Sequence, residues 1–232
     1  MELSESKSFH QSLFLQLQQH VMGLTIHYHG RIKSQDLVPQ LVSEVEDICL
    51  TMDWDYNLTD RILEGVPEDY AGLLCVAGGE GYRARGISFR MHDKSGWVSL
   101  CFGPDGLTLS PMALFRPDLT DWADDMLAHY SFTKTQLAGP DCHVAICRLL
   151  KYLARKYFSY LEVSDEGEYY ETEDLGVLKQ KFGMYGEVLD QVSSALQKTD
   201  LKKATTIPEL LTMLTKALPG MDIRVVGGSE EE

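Results

Sequence analysis

From Leu24 to Lys33 apolar and polar residues alternate: Leu24, Ile26, Tyr28 and Ile32 point one way, and Thr25, His27, His29, Arg31 and Lys33 the other. Period two predicts a half-buried strand. Upstream, Phe9, Leu13 and Leu17, with Phe14 and Val21 beside them, mark one face of a helix that ends at Gly23. Downstream, Leu37, Leu41, Val45, Ile48 and Met52 recur at helical spacing, with Asp36 as the expected cap and Pro39 third in the helix. From Trp54 to Leu109 the pattern returns to strands: Trp54, Tyr56 and Leu58; Leu73 to Ala77; Ile87, Phe89 and Met91; Val98, Leu100 and Phe102; Leu107 and Leu109. Turns at Asp93-Lys-Ser-Gly96 and Gly103-Pro-Asp-Gly106 make the last three an antiparallel meander.

The stretch from Pro111 to Asp125 reads as irregular and acidic, and Leu127 to Lys134 as one more strand. Gly139-Pro140 opens a helix with Cys142, Ile146, Leu149, Leu150, Leu153 and Tyr157 on one side. Tyr160 to Val163 is a strand, and Asp165-Glu-Gly167 a hairpin turn into Tyr169 and Tyr170. Leu175, Leu178, Phe182, Tyr185, Leu189, Val192 and Leu196 then form a helical stripe, weakened by Gly176, Gly183 and Gly186 at roughly 1 kcal/mol each. That stripe suits a core-facing helix, or a dimer seam. A polar stretch, Gln197 to Thr205, leads to a capping box at Thr206-Ile-Pro-Glu209 and a short helix carrying Leu210, Leu211, Leu214 and Leu218. The whole predicts an α+β fold: an antiparallel meander sheet flanked by amphipathic helices, with a short C-terminal helical appendage. The expected division is one domain over 1–197, then linker, helix and acidic tail over 198–232.

Composition changes the picture in three ways. At 232 residues and 44% hydrophobic, the chain has the apolar material for a core without disulfides. A net charge of −14 repels nucleic-acid backbones and anionic membranes, so neither is an expected partner, whereas a basic protein surface is favoured. Apolar runs as short as Tyr70 to Ala77 span no bilayer, and the start of the chain lacks the pattern of a signal peptide, so a cytoplasmic location is expected. The cysteines, Cys49, Cys75, Cys101, Cys142 and Cys147, form no Cys-x-x-Cys pair and are expected as free thiols.

Candidate chemistry is sparse. His27-Tyr-His29 puts two imidazoles on one strand face, but no glutamate follows and Arg31 and Lys33 oppose a second cation, so neither metal nor cofactor is expected. If β-strand 24–33 shares a sheet with the meander, His27, His29 and Arg31 join Arg90 and His92 in a cationic row that would attract an anionic ligand. The plainer alternative is a face paired with local acids. Lys134, Gln136 and the Gly139-Pro140 helix start form a second anion candidate, opposed by Asp141; His143 is expected to pack beside the apolar stripe. The acids Glu162, Asp165, Glu166, Glu168, Glu171, Glu173 and Asp174 are expected to pair with Arg148, Lys151, Arg155 and Lys156. The segment Ala77 to Gly86 is glycine-rich without a phosphate-loop spacing, and no nucleophile elbow or zinc-protease motif occurs.

The Lys134-Thr-Gln block, Lys156-Tyr-Phe and Val163 to Glu171 resemble a bacterial family of unassigned function, over Leu24 to Leu196. The resemblance implies a bacterial cytoplasmic protein and carries over no activity. The residues favour a non-catalytic protein that binds a partner, as an adaptor, inhibitor or immunity-type factor, with Leu210, Leu211, Leu214 and Leu218 as a candidate contact. The alternatives are an enzyme or sensor for a small anion at the His/Arg face, and a homodimer through Leu175 to Leu196.

Overall fold

The structure, a computed structural model, describes residues 24–67 and 81–198. The expected first helix, the Leu73 to Ala77 run and the C-terminal helix with Leu210, Leu211, Leu214 and Leu218 lie outside the described residues. The chain divides into two compact units, Met1–Phe182 and Gly183–Glu232.

The fold is α+β. Strand β1 is Thr25–Ile32, and helix α1 is Val38–Met52. The meander follows as β2 (Asp55–Ile62), β3 (Arg83–Arg90) and β4 (Val98–Phe102). Two short helices, α2 (Pro111–Phe115) and α3 (Asp125–His129), precede β5 (Ser131–Lys134). Helix α4 (Pro140–Tyr157) leads into β6 (Phe158–Asp165), a single turn α5 (Tyr169–Thr172), and α6 (Leu175–Lys198). The strands form two antiparallel sheets, ordered β5-β1-β6 and β2-β3-β4.

The condition for a cationic row, that β1 and the meander share one sheet, is therefore not met. Strand β1 finds its partners at β5 and β6, far along the chain, and only isolated bridges such as Arg31 with Leu107 reach toward the meander. The Tyr28 hydroxyl makes the main polar tie between the sheets. It accepts the Ser99 N–H at 2.7 Å and donates to the Ser99 carbonyl at 3.1 Å, satisfying both backbone groups of that buried residue.

The alternation of β1 holds: Ile26, Tyr28 and Ile32 are buried, and His27, His29 and Arg31 face away. Ile26, Tyr28 and Ile32 meet Ile87, Phe89, Val98, Leu100 and Phe102 of the meander, Leu41, Val45 and Cys49 of α1, and Ile146, Leu150, Leu153 and Tyr157 of α4 in one core. Each such side chain, fully buried, contributes about 1.5–3 kcal/mol. His143 and Cys147 extend the buried stripe of α4 in place of Cys142 and Leu149, which are partly buried. A second cluster, including Tyr82, Cys101, Leu114 and Trp122, lies on the other side of the meander.

Local chemistry explains the remaining departures. Ser34, not Asp36, caps, and it caps a 3-10 turn at Gln35–Leu37; α1 starts after it, with Pro39 second. Leu107 and Thr108 make isolated bridges, not a strand. The Ser110 hydroxyl accepts the Ala113 N–H and starts α2 inside the stretch expected to be irregular. Leu127 to His129 are helical, so the last strand of that region begins only at Ser131. The Asp165 to Gly167 turn feeds the helical turn α5, because the Asp165 carboxylate accepts the N–H groups of Gly167 and Tyr170 and winds the chain.

Candidate functional site

The outer face of the β1 sheet carries the two histidines, each half-buried and each beside a glutamate. The His29 ring stacks on Tyr130 at 3.9 Å between centroids, with Nε2 3.0 Å from Glu162, its cross-strand neighbour on β6. His27 Nε2 lies 3.7 Å from Glu166. Arg31 donates to the Asp105 carbonyl at 3.0 Å. In the other sheet Arg90 pairs with Asp55 and lies over the Trp97 ring; His92, in the turn after β3, sits 2.8 Å from Asp93. Lys134 is exposed on β5, and the Gln136 side-chain oxygen accepts the Leu24 N–H at 3.1 Å. His27, His29 and Arg31 thus stand in one sheet and Arg90 in the other, each beside an acid or a backbone acceptor.

His143 is somewhere else altogether. It is fully buried, with Nε2 2.8 Å from Asp165 Oδ1 and Nδ1 2.7 Å from the Thr135 hydroxyl. The Cys147 thiol points at Asp165 Oδ2 from 3.6 Å. Burial pushes the Asp165 carboxyl up, but His143 and the N–H groups of Tyr170 and Gly167 outweigh it and hold the group below its ordinary range. Burial, then the carboxylate, push the Cys147 thiol far up, which rules it out as a thiolate nucleophile in this arrangement. Among the described residues, His143, Cys147 and Asp165 are the group whose donor atoms come close enough, within 4.8 Å of one another, to hold a metal ion.

A third place was visible in sequence only as a set of charges. Arg148, Lys151, Tyr152, Arg155 and Lys156 lie at i, i+3, i+4, i+7 and i+8 of α4 and, with Glu173, line a groove of about 470 Å³. The expected pairing with the downstream acids holds for Lys151, which meets Glu173 at 2.6 Å and also lies over the Tyr170 ring. Lys156 turns instead to Glu44 of α1, at 2.7 Å. Arg148 donates to the Tyr169 hydroxyl at 3.2 Å, and Arg155 has no ion pair among the described residues. An acidic chain thus has a patch of reversed sign on one helix face.

Glu44 anchors the edge of that patch. Burial raises its carboxyl, but hydrogen bonds from Lys156, Tyr152 and Tyr157 prevail and hold it at about 2. A carboxyl lowered on folding adds stability above its unfolded value of about 4.3, and that stability is lost as pH falls toward the folded value. Glu44→Gln is therefore expected to flatten the loss of stability between about pH 4.3 and 2. Asp60, Asp118 and Glu173, lowered by Arg83, Arg116 and Lys151, act in the same window in both proteins. Urea midpoints at pH 5, 4 and 3 read the difference; parallel curves for variant and wild type would show that the Glu44 cluster adds nothing.

No protein-family model, curated protein or solved structure matches the chain. Its function is read from the side chains alone.

Proposed function

We propose that this protein acts without catalysis, as a cytoplasmic adaptor, inhibitor or immunity-type factor, by binding a partner protein whose acidic segment lies in the α4 groove. The observation that carries the reading is the reversal of charge: Arg148, Lys151, Arg155 and Lys156 line one groove of a chain whose net charge is −14. The groove is a depression on a solvent-facing helix side, with Arg148, Tyr152, Arg155 and Lys156 all exposed, so it suits an extended chain better than an enclosed small molecule. Arginines and a tyrosine are also the side chains that anchor protein interfaces. At long range the acidic surface favours a basic partner; at the groove the complement is acidic. The cytoplasmic assignment draws support from Cys49, Cys101, Cys142 and Cys147, which are free thiols among the described residues. Among the described residues, no helix is long and apolar enough to cross a membrane.

The other reading, an enzyme or sensor for a small anion at His27, His29, Arg90 and His92, needs those side chains to converge. His27 and His29 lie in one sheet, Arg90 in the other and His92 in the turn after it.

Fluorescence anisotropy with labelled acidic and basic peptides of equal length tests the groove. Acidic peptides are expected to bind the wild type, to weaken with added salt, and to lose about tenfold or more in affinity to Arg148→Glu/Arg155→Glu. Equal binding of acidic peptides by wild type and variant would overturn the assignment, and so would displacement by millimolar inorganic phosphate, which would mark a small-anion site.

A further inference from the structure

We propose that His143, Cys147 and Asp165 form an interior binding site for one divalent transition-metal ion of the zinc type. Imidazole nitrogen, thiolate sulfur and carboxylate oxygen are the donors that zinc takes. Here they are brought together by the fold. His143 and Cys147 are four residues apart on α4 and share its buried face, and Asp165 arrives from the end of β6.

The separations suit the ion. Zinc bonds of about 2.0–2.3 Å at tetrahedral angles place donor atoms roughly 3.3–3.8 Å apart. The Sγ–Oδ2 distance is 3.6 Å and the Nε2–Oδ1 distance 2.8 Å, with all the donors within 4.8 Å of one another. The widest donor pair, at up to 4.8 Å, must close by as much as about 1 Å, and Nε2 and Oδ1 must part by about half an ångström.

A second observation points to a ligand independently. His143 Nε2 is fully buried, yet it makes no hydrogen bond: Asp165 Oδ1 stands close to it, at ion-pair distance, but off the direction of a ring N–H. Buried side-chain nitrogens without a well-aligned hydrogen bond are uncommon. Gly167 packs directly on this edge of the ring, where a Cβ would come within 2.7 Å of Nε2 and 2.8 Å of Cε1, so no side chain can stand there.

The surroundings orient the donors as the outer groups of metal sites do. The Thr135 hydroxyl donates to the Leu24 carbonyl at 3.1 Å and so can accept from His143 Nδ1, which directs the Nε2 lone pair at the ion once the ion takes the place of a proton there. The Asp165 oxygens are held by the Gly167 and Tyr170 N–H groups at 2.7 and 2.8 Å. On binding, the Cys147 S–H bond breaks, the proton leaves to solvent and a metal–sulfur bond forms. Two negative ligands then balance the double charge, so the buried unit is neutral. With every donor buried, no substrate reaches the ion, and its work is to fasten α4 to the β6–α5 turn.

The full-length chain, stripped with EDTA and dialysed, should be titrated with cobalt(II) as the probe. The expected result is one equivalent bound, with thiolate-to-cobalt charge-transfer absorption in the near ultraviolet, displaced by zinc and accompanied by a rise in thermal midpoint. Cys147→Ser should remove the band, whereas Cys142→Ser and His27→Ala/His29→Ala should keep it. Thr135→Val should weaken affinity about 10–100-fold. A folded wild-type protein that shows no stoichiometric band overturns the proposal without recourse to any variant. A band that survives in Cys147→Ser overturns it equally.

Discussion

Asp165→Ala is expected to remove about 3–5 kcal/mol of folding stability, measured by urea unfolding of the metal-stripped protein. The carboxylate is fully buried and is the acceptor for two backbone N–H groups, Gly167 and Tyr170, besides standing 2.8 Å from His143. Alanine leaves those donors without partners, and each orphaned buried donor costs about 1–3 kcal/mol. The arrangement of the loss matters as much as its size. Replacing both members of the pair, as His143→Leu/Asp165→Leu, should recover only part of it, because an apolar pair relieves the stranded histidine but not the two N–H groups. A single variant that loses less than about 1 kcal/mol would show that water reaches the cluster and already shares its hydrogen bonds.

Which of these features could be seen in the sequence follows from how far apart their parts lie. The alternation of β1, the apolar stripe of α4 and the Gly103 to Gly106 turn are periodic or local, and all three are present in the structure. Strand pairing is not local. His29 meets Glu162 across 133 positions, so nothing in the His27-Tyr-His29 triplet shows that each ring has an acid beside it. The cationic row failed for the same reason, since β1 recruited β5 and β6 rather than β3. The basic spacing on α4 was readable as a helix face, but not that Lys156 finds its acid, Glu44, 112 positions away. Asp165 was hidden among six other acids; only its place at the end of β6, opposite an inward-facing histidine, separates it from them. The Ser110-Pro111 start of α2 was the missed local signal, a capping hydroxyl before a proline, masked by the acidic residues that follow.

Glycine substitutions should separate the two ways in which this chain uses that residue. Gly86 lies in β3, the central strand of the meander, opposite Thr59 on one side and Cys101 on the other. A Cβ there would stand 2.2 Å from the Leu100 carbonyl oxygen and 2.4 Å from Cys101 Cα. These are backbone atoms of β4, which cannot swing aside as a side chain would. To admit a methyl group, β3 and β4 must separate, and the next residues along β3, Ile87 and Phe89, are fully buried in the main core. Gly86→Ala is therefore expected to cost about 3 kcal/mol, the upper part of the range for overpacking, and to lower the urea midpoint accordingly. Gly183 in α6 is the contrast: nothing lies within 4 Å of the Cβ it would gain. There the only large effect is the helix propensity, so Gly183→Ala should stabilise α6 by roughly 1 kcal/mol. If Gly86→Ala proved as benign as Gly183→Ala, the close approach of β3 to β4 would not exist in solution. The register that sends Ile87 and Phe89 into the core would then need another cause.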